Sequence, residues 1–237
     1  MRITKNWFYK LSELVPKLWF QEPILREEII NINVDDNIIV MFFDDLNQNI
    51  DMKIWENSRV EFYWVIENID NFNINFLQNK KSSNLIVRYL LLSKNNEKIK
   101  TKIYSKLSSN NTKSDIHIIS IVWNDWFIDL DWIIEIDKNI EKVDWKLLEE
   151  NIFLWTTWKV KWLPTLLVRS NDVKASHACR IERINDEKIF YLRSRWIWKE
   201  NSIFMMIESY ILTMFKCISM VDKLFYKELL ENIIKKV

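Results

Sequence analysis

The chain has 237 residues, 34 lysines and arginines against 33 acidic residues, no glycine and 13 tryptophans. Near-zero net charge gives no electrostatic reason to expect a nucleic-acid or membrane-surface partner. Two cysteines are too few for a disulfide framework, and a hydrophobic content of 49% can build the core of one medium-sized domain.

The missing glycines and the many tryptophans suggest that one residue type replaces the other. Glycine is normally about 7% of residues, and it is the default where φ must be positive. Several tryptophans follow turn formers, as in the segment 123–126 and in the pairs Asp131-Trp132 and Asp144-Trp145. We infer that the source genome reads UGA as glycine, here translated as tryptophan. The alternative is a Trp-rich binder of carbohydrate or aromatic ligands, and the codon at position 196 distinguishes the two.

The first thirty residues predict a short helical segment. Residues 11–20 have a helical pattern that Pro16 interrupts. The start lacks the continuous apolar region of a secretory signal, and the apolar stretch 203–221 contains Glu208 and Lys216. We therefore expect no membrane segment and a reducing, cytoplasmic compartment.

Residues 31–184 predict a body of short β-strands. In 99–107, Ile99, Thr101, Ile103, Ser105 and Leu107 alternate with mostly lysine, and residues 72–76 alternate with asparagine. Period-two alternation indicates strands with one buried face. These patterns alone leave a β-sandwich and a parallel β-helix open.

Residues 185–237 predict a carboxyl-terminal helical subdomain. Apolar residues recur at helical spacing in 186–210 and 219–236, for example Leu224, Leu229 and Ile233, with charged residues opposite. The period therefore changes from strand to helix near Asn185.

Two motifs lie at this change of period. Asn171 to His177 reads NDVKASH, and Phe190 to Ile197 reads FYLRSRWI. The chain resembles the SufB/SufD family of SUF iron–sulfur cluster assembly scaffolds, whose members have (D/N)DVK(C/A)SH and FYLxSRGI at these places. Trp196 stands where the family has glycine. Weaker matches at 131–136, 143–147 and 151–154 extend the resemblance to roughly residues 115–215. Because family members are longer, we expect a minimal or divergent one.

The resemblance implies a right-handed parallel β-helix with a carboxyl-terminal α-helical subdomain, acting as a SufD-like scaffold and not as an enzyme. The partners it implies are a SufC-like ABC ATPase and either a SufB-like subunit or a second copy. The chain has no Walker motif, even with Trp read as Gly, so we expect no nucleotide to bind it. The implied ATPase docking residues are Phe190, Tyr191, Arg193, Ser194, Arg195 and Ile197.

His177 and Cys179 are the candidate site for a transient iron–sulfur cluster, at a subunit interface, or for a sulfur relay. Ala175 stands where SufD-like members have cysteine, and Ala178 where SufB-like members have an acidic residue. Residues 177 and 179 share a strand face, and imidazole and thiolate both bind iron. We expect a nearby imidazolium to favour the Cys179 thiolate. Otherwise His177 is a hydrogen-bonded structural residue and Cys179 a small buried hydrophobe.

Other candidate residues have plainer interpretations. We predict that Cys217 packs in a helix core and that His117 is a strand residue facing solvent. A carbohydrate-active β-helix is the second hypothesis, since Asp129, Asp131 and Glu135 could cluster in a groove. A third is a degenerate family member with a purely structural role.

Overall fold

The computed structural model describes residues 2–3, 8–10, 30–34, 39–43, 50–67, 72–93, 98–122, 126–154, 158–184 and 186–221, with positions 227, 230 and 231. The strands in these ranges are β1 (Arg2–Ile3), β2 (Phe8–Lys10), β3 (Ile30–Val34), β4 (Ile39–Phe43), β5 (Ile50–Ile54), β6 (Arg59–Glu67), β7 (Phe72–Gln78), β8 (Asn84–Ser93), β9 (Lys98–Leu107), β10 (Lys113–Val122), β11 (Trp126–Ile136), β12 (Val143–Phe153), β13 (Trp158–Val168) and β14 (Val173–Arg183). The helices are α1 (Asp186–Arg193) and α2 (Lys199–Val221).

The strands form two parallel sheets. The first sheet has the order β1-β3-β5-β7-β9-β11-β13, and the second has the order β14-β12-β10-β8-β6-β4-β2. Successive strands alternate between the sheets, so the chain winds as a parallel β-helix in which each coil adds one strand to each sheet. The parallel pairing excludes the sandwich alternative, because sandwiches are built from antiparallel sheets.

Side chains that point inward between the sheets form the main core. In β9 the five predicted inward residues of 99–107 are all buried, while Lys100 and Lys102 are exposed. In β12 Val143 and Leu147 are buried and Asp144 and Lys146 are exposed. Alternate residues of a strand point to the same face, and register pairing places the inward residues of neighbouring strands side by side. The apolar residues of the period-two pattern therefore form a continuous interior, as predicted.

The outer face of the second sheet forms another apolar cluster with α2. Leu90 and Ile119 on the strands and Ile211 and Phe215 on the helix are each buried. The rings of Tyr63 and Phe215 lie 5.8 Å apart. Fully burying a side chain of this size contributes about 1.5–3 kcal/mol, so α2 is held by its apolar stripe. No helix in the described part of the chain is long and apolar enough to cross a membrane.

Helix α1 has charges that suit its dipole and an unusual end. Asp186 and Glu187 lie in its first turn and Arg193 in its last, which stabilises the partial charges of the helix ends. After the helix, Trp196 adopts a left-handed conformation with φ of 67° and is 93% exposed. Glycine is the usual residue at that position of a helix end.

Three tryptophans that the sequence places in turns lie in strands instead, and the first of them, Trp126, begins β11. Trp132 is in β11 and Trp145 is in β12, and both are almost fully buried in the core. The turn prediction for these three residues is therefore wrong. Positive φ occurs elsewhere, at Asn57, Ser82, Asn111, Asn139, Lys142 and Trp196. Residues 123–125 lie outside the described residues.

The structure describes most of the strand body and the first part of the helical end, but little of the first thirty residues. The strands from β3 to β14 lie between Ile30 and Arg183, and helix begins at Asp186. The described residues of the first thirty form β1 and β2, while the predicted helical segment 11–20 lies outside the described part. Of the second predicted helix, 219–236, only residues 219–221 and the helical positions 227, 230 and 231 are described.

Candidate functional site

The candidate site lies at the open end of the β-helix. Strands β13 and β14 are the last members of their sheets, so no further described coil covers their inward side chains. Leu166, Val168 and Ile181 belong to this inward set and are 44%, 43% and 49% exposed. Side chains that would be core in an earlier coil are thus open to solvent or a partner.

The register of the second sheet brings His177 and Cys179 to this end. Register partners on β8, β10, β12 and β14 lie next to one another across the sheet and form rows of stacked side chains. Two of these rows are apolar on β8 and β10 and contain polar residues by β14. They are Val87, Ile116, Leu147, His177 and Tyr89, Ile118, Glu149, Cys179. His177 and Cys179 therefore share one face, as predicted, and it is the inward face of the last coil.

Glu149 is the buried neighbour of both predicted site residues. Its side chain is 3% exposed, and its Oε2 lies 3.7 Å from Nε2 of His177. Neither of its carboxyl oxygens has a hydrogen-bond partner among the described residues. Burial raises the pKa of Glu149 to about 7, because a charged carboxylate is poorly solvated there.

Cys179 is an exposed free thiol in contact with Asn151, whose Nδ2 lies 3.8 Å from Sγ. Burial, and then the charge of Glu149, raises the pKa of Cys179, and the Asn151 contact only partly offsets this. Burial lowers the pKa of His177. Both directions are opposite to the predicted imidazolium–thiolate pair, because burial disfavours the charged form of each group and the charge of Glu149 adds to this effect at Cys179.

The chemistry available at this end is a set of nitrogen, sulfur and oxygen donors. As the side chains stand, no three His, Cys, Asp or Glu residues of the described ranges are arranged to hold a metal ion. Sequence reasoning missed Glu149 and Asn151. The signal was present, since Glu149 has the inward phase of a strand whose earlier inward residues are apolar.

His117 belongs to a polar network on the outer face of the second sheet. Its Nε2 lies 2.8 Å from Oε2 of Glu150, and its side chain is only 16% exposed. Arg180 pairs with both Glu150 and Glu182, at 3.3 Å and 2.8 Å. The prediction of a strand residue is correct, but the side chain is paired and mostly covered, not facing solvent.

The residues of the FYLRSRWI motif form an exposed surface at α1. Phe190 and Tyr191 are 73% and 54% exposed, and the Arg195 guanidinium lies over the Tyr191 ring at 4.6 Å. Ser194 Oγ donates to the Tyr191 carbonyl at 2.7 Å. Arg193 is also exposed, and Ile197 is partly buried. Cys217 lies in α2, and its side chain is outside the described part.

The carboxylates of the carbohydrate hypothesis lie at alternate positions of β11. Asp129 pairs with Lys161 at 3.4 Å, and Glu135 accepts hydrogen bonds from Tyr104 and Arg169 at 2.5 Å and 2.8 Å. The Tyr104 bond, more than the nearby cations, lowers the pKa of Glu135. Asp129 and Glu135 are therefore engaged in ion pairs with Lys161 and Arg169.

Comparison with known proteins agrees with this architecture. The family model described as "SUF system FeS cluster assembly, SufBD core domain" matches residues 47–210. Since the match covers most of the chain, the protein belongs to the SufBD core domain family.

A curated relative points the same way. The chain is 33% identical over 78 residues to the "Iron-sulfur cluster assembly protein SufD" of Escherichia coli (strain K12). The aligned part is 33% of this chain and 18% of that protein, so the chain spans a minor part of the relative it matches.

Proposed function

We propose that the chain is a SufD-like scaffold subunit that works in the cytoplasm in SUF iron–sulfur cluster assembly, without enzymatic activity of its own. The observation that supports this most directly is the position of His177 and Cys179. They lie at the open end of the β-helix of a SufBD-family chain, where a nitrogen and a sulfur donor on the inward face of the last described coil are exposed. A transient cluster, or the sulfur for it, is the proposed cargo.

The same end is the proposed pairing surface. The inward side chains Leu166, Val168 and Ile181 are half exposed there, and within the described residues no strand pairs with the outer edges of β13 and β14. Exposed apolar patches and free edges favour association. A SufB-like subunit or a second copy of the chain would cover both, and would place the cargo between two subunits.

The helical end is the proposed docking surface for a SufC-like ATPase. Phe190 and Tyr191 are large exposed side chains on a helix anchored by buried Ile189, which is how a helix presents anchors to a groove. Co-purification with the ATPase should fall at least tenfold in Phe190→Ala/Tyr191→Ala. Leu212→Ala, which removes an exposed apolar residue of α2 outside the motif, is the control; equal loss in the control would relocate the interface.

Cluster assembly in cells tests the proposed role of the site. A strain that depends on this chain should lose activity of iron–sulfur enzymes with His177→Ala and with Cys179→Ala. Ser176→Ala, on the opposite face of the same strand, should retain it. Full activity in both site variants would reduce the site to ordinary strand packing, and loss in the first alone would leave histidine as the functional member.

A further inference from the structure

Glu149 is a buried carboxyl group without a hydrogen bond among the described residues, and such a group is costly unless something binds it. Glu149 has a side chain only 3% exposed, and both oxygens lack a hydrogen bond within the described residues. An uncompensated buried charge costs several kcal/mol, roughly, and is normally paired or bound to a metal ion. By contrast Glu150, next to it on the opposite face of β12, is paired with His117 and Arg180.

The groups nearest to Glu149 are both good metal ligands. Nε2 of His177 lies 3.7 Å from its Oε2, a separation that lets one ion contact both atoms. Cys179 is its direct register neighbour on β14, and adjacent strands lie only about 4.8 Å apart. Among the described residues the thiol makes a weak contact with Asn151 Nδ2 at 3.8 Å, and binding of an ion would require Sγ to turn from this contact toward Glu149 and His177.

We propose that Glu149 is the third ligand, with His177 and Cys179, of a site for a single divalent transition-metal ion at the open end of the β-helix. This rests on the proposed function, in which a transient iron–sulfur cluster is the cargo, and it adds that iron is received at this site as a single ferrous ion. Nitrogen, thiolate and carboxylate donors together suit first-row divalent ions.

Charge balance supports a dication. With Cys179 bound as thiolate and Glu149 as carboxylate, any proton on either group goes to solvent, so the site has two negative ligands and one neutral imidazole. A divalent ion brings the total charge to zero, which removes the cost of an isolated charge under the last coil. A fourth position is left for water or for a ligand from a partner.

Cobalt binding to the full chain without oxygen tests the proposal. Co²⁺ should bind one per chain and give a thiolate-to-cobalt absorption band in the near ultraviolet. Glu149→Gln should weaken Co²⁺ binding at least about tenfold, since even loss of a group outside the ligand set costs about 10–100-fold. Cys179→Ser should remove the band.

Glu150→Gln is the matched control and should bind like the unmodified chain, because Glu150 lies on the opposite face. Circular dichroism and thermal unfolding verify that each variant is folded. If Glu149→Gln does not fold, the Co²⁺ affinity of Glu149→Asp, which keeps the carboxylate, is measured instead. Unchanged affinity in Glu149→Gln, or no binding by the unmodified chain, would overturn the proposal. The scaffold role is tested separately: normal cluster assembly in cells that carry His177→Ala would contradict that role, whatever the result of Co²⁺ binding.

Discussion

At the scale of single residues, tryptophans of the described ranges occur in two contrasting environments. Trp132 and Trp145 are buried in the core, but the indole N–H of each lacks a hydrogen-bond partner among the described residues. Trp196 and Trp198 are largely exposed. A buried donor without an acceptor is costly and rare in native proteins. This observation is compatible with the hypothesis that tryptophan stands for glycine, which the codons would test.

Trp196→Gly should stabilise the chain. The left-handed conformation costs a residue with a side chain about 1–2 kcal/mol, and a ring that is 93% exposed has little packing to lose. The free energy of unfolding should rise by about 1 kcal/mol in urea titrations. Trp198→Gly, at an exposed position outside the positive-φ set, should give no such gain. Equal effects of the two changes would contradict the argument.

His117 should make stability depend on pH. Its pKa is lowered first by burial and then by Arg88, against the opposing effects of Glu150 and Asp115. As pH falls below about 6.5, the unfolded chain takes up this proton before the folded chain does, so stability is lost. The difference in unfolding free energy between the unmodified chain and His117→Gln should shrink in that range. A difference constant between about pH 5 and 8 would contradict it.

At the scale of elements, the contact of α2 with the second sheet decides how the helical end is placed. The helix buries Ile211 and Phe215 against strand residues, and Tyr210 OH donates to Glu182 of β14 at 3.1 Å. The helical subdomain is therefore joined directly to the strand that holds His177 and Cys179.

Ile211→Ala should cost about 2–5 kcal/mol of unfolding free energy, because it leaves a cavity between helix and sheet. Leu212→Ala, the neighbouring residue that is 40% exposed, should cost about 1 kcal/mol or less. Chemical unfolding of both variants provides the measurement. Similar small losses in the two would mean that the helix does not depend on this packing.

At the scale of the whole molecule, the β-helix leaves apolar side chains of inward phase exposed at its open end. Val168 and Leu167 are almost equally exposed, at 43% and 40%, but they lie on opposite faces of β13. Only Val168 has the inward phase, in register with buried Ile136. The two positions therefore separate an effect of the open end from a general effect of lost apolar surface.

Val168→Asp should abolish pairing of the chain with itself or with a SufB-like subunit, because an unpaired charge would be buried in the interface. Leu167→Asp should reduce pairing far less. Light scattering after size-exclusion chromatography reports the mass of each species. Pairing that survives Val168→Asp and is lost in Leu167→Asp would move the interface to the outer face of the sheet.

The sequence by itself determined where strand changes to helix and which side chains of 99–107 face the core, because side-chain periods of two and of about 3.6 are local properties. It also pointed to His177 and Cys179 through a contiguous motif. It could not distinguish sandwich from β-helix, since both contain the same alternation. It placed Trp132 and Trp145 in turns because an aspartate precedes each of them, whereas both lie inside strands of 11 residues that pair with neighbouring coils.

Only the tertiary structure decided what surrounds the site. Glu149 and Cys179 are 30 residues apart and become neighbours through the parallel register of β12 and β14. Their exposure depends on β14 being the last described strand of its sheet. The pairing of coils is a long-range property that no local pattern encodes. The position of the Glu149 carboxyl next to Cys179 therefore follows only from the tertiary structure.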